Sequence, residues 1–312
     1  MEIVPAHGWN GLLNELLRRR GTAIFLGASG SGKPTMIRFL LENLLRRPVA
    51  VCLVDSDVGQ SAFGLPACIS ARIFRGPADI GRYWARGARG ARPPGSPGIS
   101  GVRAIFFVGT VNPVKNIFRM VRGTERMALF CMRKRAEITL VDTTGLVSGR
   151  AGRALKLGKV RLLKPRHVIA IEENGELEHI LSALEMDGIR IHRLKPSSLA
   201  RAAGGKARAG HREEKFRDYF KNSGVLKFLS PVRPVSARGG SPPDPGEVKR
   251  GCLVGLDWGE ETLGLGVFKA SDATGMLVKT PLRPPQARRV DTISFGEVMI
   301  EDEGFDYKET VR

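Results

Sequence analysis

The chain has 312 residues, 42% of them hydrophobic, enough for two domains of ordinary size around a real core, and this excludes global disorder. It carries 50 Lys and Arg against 31 Asp and Glu, a net charge of +19. A field of that sign draws polyanions, nucleic acid first; a basic proteome or simple solubility is the plain alternative, and no basic amphipathic helix singles out a membrane surface.

In chain order, GLLNELLRRR (11–20) reads as a short helix with a leucine face. Trp9 just before it suits packing, or a wall beside an adenine. TAIFLG (22–27) reads as a buried strand, and VAVCLVD (49–55) as a second. Between them a helix from Lys33 to Arg46 carries Met36, Ile37, Phe39, Leu40 and Leu44 at helical spacing. Unbroken apolar strands separated by a helix predict a parallel sheet covered on both faces. Residues 76–100, with GARGARPPGSPG, read as a loop or a mobile insertion. Its Arg82, Arg86, Arg89 and Arg92, with Tyr83 or Trp84 as a stacking face, suit either a nucleic-acid strand or a plain surface loop.

AIFFVG (104–109), EITLVDTTG (137–145), HVIAIEE (167–173) and IRIHRL (189–194) are further strand candidates, and GELEHILSAL (175–184) an amphipathic helix. Residues 196–220 are basic and helix-like, and 234–247 form a Pro/Gly/Ser-rich hinge or loop. CLVGLDW, TLGLGVFK and GMLVKTPL, from about residue 251, predict a small β-rich module. The expected divisions are an N-terminal helical segment (1–21), a nucleotide domain (22–230) that includes the basic helix, and a C-terminal β-rich domain (231–312). Cys52, Cys68, Cys131 and Cys252 lack CxxC spacing, so neither a zinc site nor a disulfide framework is expected, and a reducing cytoplasm fits. His167, His179, His192 and His211 show no ligand spacing. MEIVPAHGWN has no signal-peptide core and no apolar run nears bilayer length, so no membrane association is expected.

GASGSGKPT (27–35) follows a strand and opens a helix, the setting of a phosphate-binding loop. Gly27, Gly32 and Lys33 fit the Gly-x4-Gly-Lys pattern, and Ser29, Gly30 and Ser31 form the turn between. Such a loop aims backbone N–H groups and a helix N-terminus at phosphate oxygens while its lysine reaches the β and γ phosphates. Pro34 stands where a magnesium-binding hydroxyl is usual, and removes a backbone N–H as well. Losing one or two charge-assisted hydrogen bonds weakens binding roughly tenfold to several hundredfold, unless Thr35 or water takes the place. VDSDVGQS (54–61) ends a strand in Asp55 and Asp57, paired carboxylates that suit magnesium and proton acceptance, or else a turn or cap. Asp142 in LVDTTG ends another strand and suits sensing of a γ-phosphate.

GWNGLLNEL, FLGASGSGKPT, VDSDVGQS, FVGTVNPVKN, VDTTGLVSG and KFRDYF together resemble the polynucleotide 5′-hydroxyl kinases, the family of the pre-mRNA cleavage kinase subunit and the nucleolar pre-rRNA-processing kinase. The resemblance spans about residues 8–300 and is most specific in DxDxGQ and DTTGLVxG. It implies an α/β phosphate-loop sheet flanked by helices, with a basic lid and a terminal β module. It also implies transfer of the γ-phosphate of ATP, with Mg2+, to a 5′-hydroxyl end of RNA or DNA. Lys33 would hold phosphates; Asp55 and Asp57 would share magnesium contact and base without a fixed division; Gln60 would order the site. TVNPVKN resembles a clasp over the nucleotide, with Asn116 in place but Lys115 where a small residue is usual. Arg208 and Arg212, one helical turn apart, resemble the lid arginines, or else belong to a solvated basic helix.

Two other readings stay open. Pro34 favours a nucleotide-binding RNA-processing scaffold with weak or lost chemistry. DTTG favours a phosphate-loop GTPase, against which the chain has no N-K-x-D tetrad.

Overall fold

The computed structural model describes residues 5–80, 103–184, 188–196, 204–241, 243–244, 246–301 and 307–309. The arginines and aromatics expected at 82–92 lie outside these residues, as does the first part of the expected basic lid.

Five strands make the parallel centre: β1 (Thr22–Gly27), β2 (Val51–Ser56), β5 (Ile138–Thr143), β6 (His167–Ile171) and β7 (Arg190–Leu194), in the order β2-β5-β1-β6-β7. Alternation along β1 explains why its apolar run is unbroken. Ala23 and Phe25 pack on one face with Trp9, Leu12 and Leu16 of α1 (Trp9–Arg18) and Met36, Leu40 and Leu44 of α2 (Lys33–Leu44). Ile24 and Leu26 pack on the other with Met120 and Met127 of α3 (Ile117–Arg133) and Leu155 and Val160 of α4 (Gly149–Leu163). Trp9 is buried against Phe39, ring centroids 5.3 Å apart, so it is a packing residue.

The sheet continues on antiparallel pairing. β3 (Cys68–Phe74) joins β2, β4 (Arg103–Phe107) joins β3, and β11 (Glu261–Asp272) joins β4, with Thr262 opposite Ile105. Beyond β11 lie β10 (Cys252–Trp258), β13 (Thr292–Ile300) and β14 (Tyr307–Glu309), and β12 (Gly275–Thr280) pairs both β11 and β8 (Gly224–Leu229). The nucleotide-domain sheet and the β-rich module are thus one 14-stranded sheet. The helix α6 (Gly205–Phe220) crosses to the module: Phe216, Tyr219 and Phe220 pack with Leu253, Leu265 and Val267, and the Tyr219 hydroxyl accepts the Leu265 N–H at 2.8 Å.

Several expectations change. AIFFVG is a strand, but an antiparallel one. Residues 233–236, expected within or beside the hinge, form β9 (Arg233–Ser236), parallel to β13. The helix expected over 175–184 shortens to α5 (Glu178–Leu181) and a single 3-10 turn. β3 gives no apolar run because Ser70 and Arg72 interrupt it; Arg72 is nevertheless buried, its guanidinium 5.0 Å over the Phe74 ring. The cysteine reading is corrected outright: Cys52 of β2 and Cys131 of α3 form a disulfide, their Cα atoms 5.8 Å apart across 79 residues of sequence. Spacing could not show it, because packing of α3 on the sheet is what brings the two together. The ground for expecting a reducing compartment goes with it. No helix among the described residues is long and apolar enough to cross a membrane.

In the loop-entropy account, a bridge closing about 80 residues stabilises by roughly 4 kcal/mol. Urea unfolding with and without a reductant should show a lower midpoint for the reduced protein, and Cys52→Ser should reproduce it.

Candidate active site

β1 ends at Gly27, and the turn that follows reaches α2 through Gly30 (φ 82°) and Gly32 (φ 85°), left-handed positions that glycine occupies without strain. A Cβ on Gly27 would lie 2.5 Å from Ser31 Oγ, so the turn closes on itself too tightly for a side chain there. Lys33 is buried, and its Nζ donates to the Gly27 and Ala28 carbonyls at 2.7 and 2.9 Å. Burial holds its pKa below the ordinary lysine value, against the pull of Asp142 and Asp57. Ser31 Oγ is buried without a hydrogen-bond partner. Pro34 and Thr35 sit exposed in the first turn of α2, where a missing N–H breaks no helical hydrogen bond.

Asp55 and Asp142 lie opposite each other at the C-terminal ends of neighbouring parallel strands, where ligands of open α/β sheets collect. Their surroundings differ. Asp55 is fully committed: Oδ1 accepts the Asp57 N–H at 3.2 Å, and Oδ2 accepts Ser61 Oγ at 2.7 Å with the N–H groups of Ala62 and Phe63. Burial still pushes its pKa up. Asp57 is half-buried, with Oδ1 accepting the Gly59 and Gln60 N–H groups at 3.0 and 2.9 Å. Asp142 is buried with Oδ1 lacking any partner. Burial and the Asp55 charge raise its pKa to about 7, with Lys33 pulling the other way. Asp142 also leads into Gly145, where a Cβ would lie 2.6 Å from the Ser29 nitrogen, so this segment presses directly on the phosphate loop.

Sequence reasoning missed the cations behind these acids. Lys156 and Lys159 of α4 are fully buried. The Lys156 ammonium donates to Thr143 Oγ1 at 2.8 Å and to the Thr144 carbonyl, and that of Lys159 to Ser56 Oγ. Burial lowers both pKa values, that of Lys159 to about 7. Lys215, buried on α6, donates to the Ser61 and Gly64 carbonyls. Lysines spaced among the apolar positions of GRALKLGKV were the available signal, and they read as solvent-facing because buried lysine is rare.

A cleft of about 390 Å³ opens over these elements. Ser29, Thr144, Gly145 and Leu146 line one part, Asp57, Gly59 and Gln60 another, and Val111 and Pro113 a third, with Arg208 and Arg212 of α6 facing them. Arg212 also donates to the Gly59 carbonyl at 3.2 Å, which ties the basic helix to the DSDVGQ loop. Of the expected site residues, Lys33, Pro34, Thr35, Asp55, Asn116 and Asp142 are absent from this lining, and Ser29 is the one phosphate-loop residue in it. Asn116 is buried below it, donating through Nδ2 to the Ala237 carbonyl at 2.8 Å and accepting the Arg119 N–H at 3.2 Å. Among the histidines, His167 bonds the Arg19 carbonyl and His192, and His179 the Val147 carbonyl, all outside this cleft. Among the described residues no group of three or more His, Cys, Asp and Glu is gathered as a metal cage. Two buried oxygens without partners, on Ser31 and Asp142, beside a glycine cradle, fit a phosphate chain and a cation held by few protein ligands.

The Asp142 carboxyl predicts a stability effect with a defined sign. Its folded pKa lies above its unfolded value, so ionisation destabilises the fold as pH rises from about 4 to 7. Asp142→Asn should therefore raise the unfolding free energy at pH 8 by roughly 1–3 kcal/mol, a gain that shrinks towards zero near pH 4. Denaturant unfolding across that pH range measures it.

The sequence profile of the mRNA cleavage and polyadenylation factor CLP1 P-loop family matches residues 27–222. A polyribonucleotide 5′-hydroxyl-kinase of Methanocaldococcus jannaschii is 35% identical over 209 residues, covering 66% of this chain and 52% of that protein. The polyribonucleotide 5′-hydroxyl-kinase Clp1 of Xenopus tropicalis is 26% identical over 209 residues, covering 64% of this chain and 44% of its own length. The chain thus spans about half the length of these curated relatives. The fold is similar to that of Clp1p in a solved complex with a Pcf11p fragment, with TM-score 0.70 and 11% identity, covering 95% of this chain and 80% of that one. The phosphate loop, the acid-bearing strand ends and the basic helix all fall within the matched stretch, and the chain belongs to the CLP1 P-loop family.

Proposed function

We propose that this chain is an ATP-dependent polynucleotide 5′-hydroxyl kinase, which moves the γ-phosphoryl group of ATP to the 5′-hydroxyl of an RNA strand. One observation carries the reading: a single cleft sets Asp57 and the arginines of α6 against Ser29 of the phosphate loop. Phosphoryl transfer needs positioning and charge neutralisation more than covalent chemistry, and those are the parts present.

In this reading the loop amides and Lys33 hold the phosphate chain, Lys33 exchanging its two carbonyl partners for phosphate oxygens. Arg208 and Arg212 neutralise charge on the group in transfer. Asp57 accepts the proton of the 5′-hydroxyl, its orientation fixed by the two N–H groups on Oδ1. Asp55, with both oxygens engaged, organises the loop that carries Asp57 and Gln60. Asp142, buried with an unpartnered oxygen, would be the residue best fitted to hold Mg2+, with water standing in for the hydroxyl that Pro34 lacks; Thr35 is exposed, and neither lines the cleft directly. When bound, Mg2+ supplies charge neutralisation at the β and γ phosphate oxygens. The net charge of +19 draws the polynucleotide and implies steep salt dependence of its binding.

Pro34 favours a second reading, an ATP-binding scaffold in RNA processing with feeble transfer. Incubation with ATP labelled at the γ-phosphate and a 5′-hydroxyl RNA separates the two. The kinase reading expects label on the RNA, competition by ATP in preference to GTP, and a loss of roughly 100-fold or more in Asp57→Asn. Pro34→Ser should raise the rate roughly tenfold or more at limiting magnesium. Bound ATP with no transfer at any magnesium or manganese concentration, in the wild type and in Pro34→Ser alike, would establish the scaffold.

A further inference from the structure

Lys115 departs from the pattern the clasp resembles, and the site described so far gives it no work. The clasp supplies Val111 and Pro113 to the cleft wall, so its placement bears directly on whatever the phosphate loop holds. Within the segment run short-range bonds, among them Asn112 N–H to Thr110 Oγ1 and Val114 N–H to Asn112 Oδ1, both at 3.1 Å. Its longer anchors come from the C-terminal strands. Asn116 Nδ2 donates to the Ala237 carbonyl just after β9. The Glu297 N–H of β13 donates to the Gly109 carbonyl at 2.7 Å. Gly109 sits so close that a Cβ there would lie 2.6 Å from Ala237 Cβ and 3.2 Å from Gly296 Cα.

Glu297 is the centre of this contact. Its carboxylate lies 3.5 Å from Lys115 Nζ and 3.1 Å from Arg238 Nη1, and the Lys115 and Glu297 side chains are only 25% and 19% exposed. The Lys115–Glu297 pair, so shielded, is screened less by salt than an exposed one, whereas the Arg238 side chain is 60% exposed. The carboxylate therefore bridges the lysine of the clasp to an arginine of the module; Glu297 and Arg238 line a separate cleft, and only Val111 and Pro113 of the clasp reach the phosphate-loop cleft.

We propose that Glu297 is a positioning residue for nucleotide binding, acting through Lys115 to hold the clasp over the phosphate-loop cleft. The C-terminal strands then take part in binding the nucleotide without touching it. The idea rests on the proposed use of ATP by the cleft.

The test measures binding of a fluorescent ATP analogue without acceptor, the KM for ATP and kcat in the transfer assay, and thermal unfolding, for Glu297→Gln, Lys115→Met and the pair combined. Each single change should weaken ATP binding and raise KM roughly three- to tenfold, with kcat within about twofold. The double variant should be no worse than the poorer single, because both remove one interaction. Lys115→Glu combined with Glu297→Lys should recover part of the affinity that either reversal alone loses. Unfolding midpoints should stay close to wild type, since the fold does not hang on one half-shielded pair. Additive losses, wild-type affinity in the singles, or a fall in kcat at unchanged KM would each overturn the inference while leaving the kinase reading intact. A wild-type protein that binds no ATP would overturn both.

Discussion

Charge buried at the C-terminal ends of β2 and β5 is the constraint on which the rest of the site depends. Asp55, Asp57 and Asp142 gather there, and Lys33, Lys156, Lys159 and Lys215 approach from α2, α4 and α6. These ammonium groups donate to carbonyl and hydroxyl oxygens: Lys33 to Gly27, Lys156 to Thr143, Lys159 to Ser56 and Lys215 to Ser61. Removing an ion from water costs several kcal/mol even after relaxation, and a carbonyl cage returns only part of it. The cost falls on both signs at once, which is why burial raises the pKa of Asp142 and lowers those of Lys33 and Lys159. In the proposed reading, a nucleotide would meet charges of both signs already in place, so little reorganisation would remain to be done on binding.

The same strand ends explain why the β-rich module is continuous with the nucleotide domain. β3 and β4 turn the sheet antiparallel, and β11 then pairs with β4, so the C-terminal strands reach the edge that carries the clasp. Gly109, at the point where β4 gives way to the clasp, has room for no side chain. Tyr219 of α6 bonds β11 as well, so the basic helix and the clasp lean on one support. Two parts of the cleft wall, Val111 with Pro113 and Arg208 with Arg212, therefore both lean on the module.

Much of this was legible beforehand. Strands β1, β2, β5 and β6 announced themselves by near-continuous apolar runs, as strands covered on both faces require, whereas β7 is a partly exposed edge strand that carries Arg190, His192 and Arg193. The phosphate loop and the DSD pair were legible because their chemistry demands particular residues at fixed spacing. What stayed hidden depended on partners far away in sequence. α3 contains Gly123, a weak helix former, kept because a Cβ there would lie 2.5 Å from Phe106. α4 hides its apolar face behind two lysines that in fact point inward. The Cys52–Cys131 bridge, the Glu297 contact and the separate environments of Asp55 and Asp57 all arise from packing across elements, which no local pattern records.

Pro34 looks different once the surrounding charges are known. In isolation it removes a hydroxyl and an N–H from the loop, the contacts on which a cation and a phosphate oxygen commonly rest. The backbone accommodates it freely, since it occupies the first turn of α2 and displaces no helical bond. The loss is confined to ligand contacts, and the site offers a buried Asp142 oxygen with no partner. A carboxylate is a stronger ligand for a hard cation than a hydroxyl, and water can complete the remaining positions. Lys33 and Lys156 both lie near Asp142, and burial lowers the pKa of each, so their positive charge is held at a cost that an incoming anion would relieve. In the proposed kinase reading, the work of neutralising the phosphates would shift from the loop hydroxyl towards Lys33 and the arginines of α6. The proline would then set how much metal the site demands, while the geometry of transfer would be set elsewhere, by Asp57 and the arginines that line the cleft with it.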